Sequence, residues 1–208
     1  MNDITIARHL LQTEAVRLRP DEPFTWASGL KSPIYCDNRV LLSHNTARND
    51  VKNMLAELIK THFPEATAIV GVATAGIAPG VLAADVLGIP FGYVRSEAKK
   101  HGMGKQIEGD IKPNEKIVVV EDLVSTGKSS LEAIQIVRAA GFEVLGLAAI
   151  FTYGFPLAAQ NFEKQNCPMY TLSNYHILIE EALQMGYVQQ NQMEMLSKWR
   201  EKPEEFGV

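Results

Sequence analysis

Four consecutive β-branched residues, Ile117-Val118-Val119-Val120, run directly into two carboxylates, Glu121-Asp122. A strand with no polar residue on either face needs cover on both sides, which a parallel sheet flanked by helices supplies and a half-wet antiparallel sheet does not. The neighbouring sequence provides that cover. Apolar strands are expected at Ala68 to Val72, Phe91 to Arg95, Ile117 to Glu121 and Glu143 to Phe151, with helices at Gly76 to Leu87 and Gly127 to Ala140 between them. The alternation predicts a doubly wound α/β fold.

The flanks are helical. Asp3 is placed to cap a helix with Ile4, Ala7, Leu10 and Leu11 on one face, and the turn-rich Arg19-Pro20-Asp21-Glu22-Pro23 follows, so this helix is expected to be a lid or flap outside the core. Ser43 is expected to open a second helix carrying Val51, Leu55, Leu58 and Ile59, ending before Pro64. Beyond Tyr153-Gly154 the chain reads as helical again, with Ser173 capping Asn174 to Gln184 and a last helix near Gln190 to Arg200. With 208 residues and 46% hydrophobic content, a single domain over 1–208 can bury its core unaided, divided into 1–65, an α/β core at 66–155 and a helical part at 156–208.

Cys36 and Cys167 lack metal or redox spacing and read as free thiols of a reducing cytoplasm. The uncharged stretch from Ala66 to Ala84 is broken by Gly71, Gly76, Pro79 and Gly80, so a buried strand, turn and helix explain it better than a membrane span. A net charge of −4 gives no general attraction to nucleic acid or to an anionic membrane, and neither is expected as a partner. Any anionic ligand must be held by a local cluster.

One candidate lies just beyond the apolar run. Glu121 and Asp122 reach the carboxyl end of a parallel strand, where open α/β sheets bind ligands. Ser125, Thr126 and Gly127 then lead into a helix, so free N–H groups, hydroxyls and the positive helix end converge on a point suited to phosphate. Carboxylates beside such a cup can accept hydrogen bonds from sugar hydroxyls. Gly127-Lys128-Ser129 also matches the end of a nucleotide-hydrolysing P-loop, but the first glycine of that motif would fall at Asp122, where a bulky anion blocks close wrapping of the backbone.

The pattern of four apolar residues, two acidic ones, Leu123-Val124 and Ser125-Thr126-Gly127 resembles the fingerprint of type I phosphoribosyltransferases. The resemblance implies their fold: a central, mostly parallel sheet flanked by helices, with an N-terminal hood over the base and C-terminal helices. It also implies transfer from 5-phosphoribose 1-diphosphate (PRPP), with Mg2+ as cofactor reaching the site through PRPP and water and no metal ligands from the protein. PRPP-binding residues carried over are Glu121, Asp122, Leu123, Val124, Ser125, Thr126, Gly127, Lys128 and Ser129, with Asp122 also catalytic.

Arg95-Ser96-Glu97-Ala98-Lys99-Lys100-His101-Gly102-Met103-Gly104-Lys105 supplies the cationic cluster. Alone it reads as a solvated loop. It is similar, however, to the flexible catalytic loop of the orotate-using members of that family, which closes over PRPP in the neighbouring subunit. That implies a homodimer in which Arg95, Lys99 and His101 contact the diphosphate and Lys99 is catalytic, neutralising the leaving group. Gly71-Val72-Ala73-Thr74-Ala75-Gly76, a turn of small residues, occupies the position of the diphosphate-binding turn. Phe24 to Tyr35 looks like the signature of the orotate branch, implying orotate as acceptor, bound by backbone near Tyr35 and Cys36 and by the Ser125 side chain. The implied role is a cytoplasmic step of pyrimidine (UMP) biosynthesis. Ser96, Ala27 and Tyr153 depart from the pattern, standing where some relatives carry two lysines and an arginine that meets the orotate carboxylate.

Overall fold

The computed structural model describes residues 2–26, 29–95 and 106–206. In chain order the elements are α1 (Asn2–Gln12), β1 (Val16–Leu18), β2 (Phe24–Thr25), β3 (Lys31–Ser32), β4 (Ile34–Cys36), a 3₁₀ turn (Asn38–Ser43), α2 (Asn45–His62), β5 (Ala68–Val72), α3 (Ile77–Leu87), β6 (Phe91–Val94) and β7 (Ile107–Glu108). There follow β8 (Lys116–Val124), α4 (Lys128–Ala139), β9 (Glu143–Thr152), α5 (Pro156–Lys164), β10 (Met169–Asn174), α6 (Tyr175–Gln184), a 3₁₀ turn (Gln190–Gln192), α7 (Met193–Glu201) and a short 3₁₀ turn (Pro203–Glu205).

The main sheet has the order β10-β9-β8-β5-β6-β7. Its pairings are parallel except for β6 with β7, an antiparallel edge formed by Tyr93↔Glu108 and Val94↔Ile107. Ile117 to Val120 are wholly buried at the sheet centre, as the lack of polar side chains demands. From β5 the chain adds β6 on one side and β8 on the other, so the crevice beyond the carboxyl ends of β5 and β8 is a topological switch point, the position at which such sheets bind ligands. The uncharged 66–84 stretch is accounted for by β5 and α3, and no helix among the described residues is long and apolar enough to cross a membrane.

Several expectations at the flanks are overturned. Helix α1 is core, not a flap: Ile6, Ala7, Leu10 and Leu11 are at most 1% exposed, and the helix packs on α6 and β10. The apolar stripe therefore had a partner distant in sequence. Asp3 lies inside the helix instead of capping it. Ser43 closes a 3₁₀ turn and α2 starts after His44. Ser173 is a buried residue of strand β10, while Asn174 caps α6 by accepting from the Ile177 N–H at 3.2 Å. The segment after Gly154 is not purely helical, because β10 joins the sheet beside β9. The final helix is likewise interrupted, the 3₁₀ turn at Gln190–Gln192 preceding α7.

The N-terminal part shares one apolar core with the sheet and the C-terminal helices, linking Ile6, Ile34, Ile69, Val118, Leu178 and Trp199. Within it, Trp26 stacks on Tyr153 at 5.3 Å and meets the edge of Trp199 at 5.8 Å. Such aromatic pairs add to the energy of simple area burial. They tie the Phe24 to Tyr35 segment to α7.

Candidate active site

The acidic pair remains within β8, which continues to Val124 beside β9 through Glu121↔Ala149, Leu123↔Phe151 and Val124↔Thr152. Glu121 is 5% exposed. Its carboxylate accepts from the Asp122 N–H at 3.0 Å and lies 3.4 Å from the Ser130 hydroxyl. Burial, with the adjacent Asp122 as second cause, pushes the Glu121 carboxyl up to about 9. Asp122 is also raised, by burial, with the hydrogen bond to Glu121 acting in the opposite direction.

Behind the pair the chain turns into α4. Gly127 adopts φ +79°, a left-handed conformation open to glycine, and a Cβ there would lie 2.6 Å from the Phe162 ring. The N-cap of α4 is Gly127, which has no side chain to cap the helix, so the first-turn N–H groups are not capped from that position. Ser125 and Thr126 are half-buried, while Lys128 and Ser129 are exposed on the first turn of α4. Asn161 on α5 holds the turn by donating to the Thr126 carbonyl at 3.1 Å. Val124 has its side chain in the core and its carbonyl bonded to the Thr152 hydroxyl and the Tyr153 N–H, whereas Leu123 is only partly buried.

The turn after β5 lies against this loop. Gly76 is placed so that a Cβ would stand 2.5 Å from the Val120 carbonyl oxygen and 2.8 Å from that of Val72. Only glycine permits the turn to lie this close to strands β5 and β8. The Ala73–Thr74 peptide is cis. Ala75, Asp122, Asn38 and Arg39 line one small cavity of ≈ 20 Å³, so the small-residue turn and Asp122 form adjoining walls. Among the described residues no three metal-ligating side chains cluster.

Arg95 sits at the stem of the basic segment. Its N–H donates to the Gln106 carbonyl at 2.9 Å and its guanidinium pairs with Glu108 at 3.3 Å. Lys99 and His101 lie outside the described residues.

The Phe24 to Tyr35 segment pairs β2 with β3, and β4 pairs with β1. Bonds from the Asp37 N–H to the Ala15 carbonyl and from the Arg19 N–H to the Pro33 carbonyl set the ladder's alternation. Tyr35 therefore exchanges backbone bonds with Arg17, and the Cys36 N–H and C=O face away from β1. Ser125 lines a cleft of ≈ 730 Å³ together with Trp26, Leu30 and Phe155. Tyr153 is not available as a surface ligand: it is 3% exposed and packed between Trp26 and Trp199.

Sequence reading missed Asn38, which donates to the Asp122 carbonyl at 2.7 Å, and the clasp of Arg39 on Asp37 at 2.7 and 2.8 Å. Asp37-Asn38-Arg39, a cap-forming acid ahead of two polar residues, was the available signal.

Residues 39–184 match the family model described as Phosphoribosyl transferase domain. The chain is 51% identical to the orotate phosphoribosyltransferase of Porphyromonas gingivalis, covering 98% of this chain and 97% of that protein. It is 54% identical to the orotate phosphoribosyltransferase of Bacillus caldolyticus, over 97% of this chain and 98% of that one. In structure it resembles orotate phosphoribosyltransferase from Aeropyrum pernix, with a TM-score of 0.76 and 28% identity over 88% of this chain and 99% of that one. Leishmania donovani UMP synthase gives a TM-score of 0.81 and 25% identity over 95% of this chain, which spans 42% of that longer protein.

Proposed function

Since the chain belongs to the orotate phosphoribosyltransferase family, we propose that the crevice between its acidic pair and the Gly71–Gly76 turn is where PRPP and orotate react. The reaction transfers the 5-phosphoribosyl group to orotate, giving orotidine 5′-monophosphate and diphosphate, a step of pyrimidine biosynthesis. The observation that carries the site is the contact between Gly76 and the Val120 carbonyl, which sets a glycine-lined turn beside two buried-to-half-buried carboxylates.

Each part has a distinct task. The first-turn N–H groups of α4, with Ser125, Thr126, Gly127, Lys128 and Ser129, take the 5-phosphate. Glu121 and Asp122 accept from the ribose hydroxyls, with the main chain of Leu123 and Val124 completing the loop. Burial disfavours ionisation of the pair, and hydrogen bonds donated by the ribose hydroxyls favour it. In the Gly71–Gly76 turn the Ala73 and Gly76 N–H groups bond to the Val94 and Val72 carbonyls, so the Thr74 and Ala75 N–H groups are the ones that meet the diphosphate. Orotate meets the Cys36 backbone and Ser125, and as an anion it attacks the ribose centre with little need for a base.

Arg95, Lys99 and His101 reach the diphosphate from the neighbouring subunit of a homodimer, where Lys99 stabilises the leaving group. Mg2+ suits this site as an ion carried by the oxygen-rich diphosphate and water, supplying charge to the departing group. The carboxylate pair is left to the ribose hydroxyls, so the ion comes and goes with PRPP. The reading takes 1–208 as one domain in a cytoplasmic enzyme.

The test is an incubation with PRPP, Mg2+ and equal amounts of orotate, uracil, adenine and hypoxanthine, followed by chromatography of the nucleotides. Orotidine 5′-monophosphate is the expected product; a different nucleotide, or none, would reject the acceptor. Mixing inactive Lys99→Ala with inactive Asp122→Asn protein should restore part of the activity if the lid crosses subunits, whereas no recovery on subunit exchange would reject the shared site.

A further inference from the structure

The hood, Phe24 to Tyr35, and the acidic-pair loop come from separate parts of the chain, and one buried amide just beyond the hood joins them. Asn38, 3% exposed, stands one residue beyond Asp37, just after β4. Its Nδ2 donates to the Asp122 carbonyl, 84 positions away, at 2.7 Å, and its Oδ1 accepts from the Cys36 thiol at 3.2 Å. Both ends of the amide are therefore engaged, which fixes its orientation.

The Asp122 carbonyl needs such a partner. Strand β5 accompanies β8 only as far as Gly71↔Val120, so the ladder on that side stops before the acidic pair, and a carbonyl left buried without a partner is costly. The asparagine is itself held by its turn. Asp37 accepts from the Arg39 N–H at 3.2 Å and clasps the Arg39 guanidinium, bracing the residues on either side of Asn38.

We propose that Asn38 is a positioning residue for phosphoribosyl transfer: by pinning the Asp122 main chain to the end of β4, it fixes the separation between the carboxylates that hold the ribose and the hood backbone that holds the base. This rests on the function proposed above. The acceptor nitrogen and the ribose carbon belong to ligands gripped by these two different segments, so their approach is only as exact as the joint between the segments. Misplacement of about 1 Å costs on the order of 10²-fold in rate. The amide touches neither ligand; it acts through Asp122 and Cys36.

The test compares wild type with Asn38→Ala, Asn38→Asp and Cys36→Ala in steady-state assays with PRPP and orotate, alongside thermal unfolding. Asn38→Asp keeps the shape and the acceptor for Cys36 but loses the donor. Both Asn38 variants should show kcat/KM for PRPP reduced roughly 10- to 10²-fold, through a raised KM as well as a lowered kcat. Cys36→Ala, which frees the amide to turn, should show a smaller loss of the same kind. A residue with only a structural role would lower the folded fraction and the apparent kcat while leaving KM alone. That pattern, or values within about twofold of wild type in a folded variant, would overturn the inference. If Asn38→Ala does not fold, Asn38→Asp and Cys36→Ala decide by the same criteria. An inactive wild type in the same assay would instead overturn the functional reading on which the inference stands.

Discussion

Replacing Glu121 by glutamine should stabilise the ligand-free protein increasingly as pH rises, while removing most of its activity. The Glu121 carboxyl is pushed from an ordinary value of 4.5 to about 9, mainly by burial. The folded state therefore binds this proton more tightly than the unfolded chain, and the resulting stability is fully present below pH 4.5 and lost as pH rises through about 9. Each pH unit within that window costs about 1.4 kcal/mol, so the step from pH 5 to pH 8 costs the wild type up to about 4 kcal/mol through this group. Part of the penalty is shared with Asp122, so a gain of at least about 2 kcal/mol is expected for the variant over the same step. At about 2–4 °C per kcal/mol for a chain of this size, Tm of the variant relative to wild type should rise by roughly 4–15 °C. Glutamine retains an oxygen for the Asp122 N–H, so local packing is kept. The assay is urea and thermal unfolding of both proteins at pH 5, 6, 7 and 8 without PRPP. Stability curves that stay parallel across that range would refute the claim that the buried carboxyl holds its proton.

Two other substitutions probe the joints of the site. Gly76→Ala drives a methyl group against the Val120 and Val72 carbonyls, which should cost about 1–3 kcal/mol in urea unfolding and raise KM for PRPP; an unchanged KM would separate this turn from the diphosphate. Trp199→Ala removes a side chain 1% exposed that touches Trp26 and Tyr153, with an expected loss of about 3–5 kcal/mol and, in the folded fraction, a raised KM for orotate. Loss of stability with an unchanged orotate KM would show that the aromatic cluster does not hold the hood.

The centre of the fold was readable because its strands are apolar on both faces. β5 came out as Ala68–Val72, as expected, and β9 differed by a single residue at its end. Local pattern failed where partners are distant. The stripe of α1 looks like that of any amphipathic helix until α6 and β10 are seen to cover it, and β10, with its exposed Tyr170, lacks the uninterrupted apolar run of a central strand. The acidic-pair loop was legible because strand, carboxylates, hydroxyls and glycine are contiguous from Ile117 to Gly127. Asn38 was not: its role depends on where β5 stops, and only the assembled sheet shows that. Tyr153 illustrates the reverse case, a position marked as a departure at the base whose ring proves to be interior packing.

The most direct test of the account is to follow orotate absorbance after mixing the protein with Mg2+ and limiting PRPP, in parallel for wild type and Asp122→Asn. Wild type should consume one orotate per PRPP, and the variant should be slower by roughly 10²-fold or more, the scale of losing one preorganised charged group. Orotate left unconsumed by wild type, or consumed equally fast by the variant, would contradict the placement of phosphoribosyl transfer at the acidic pair.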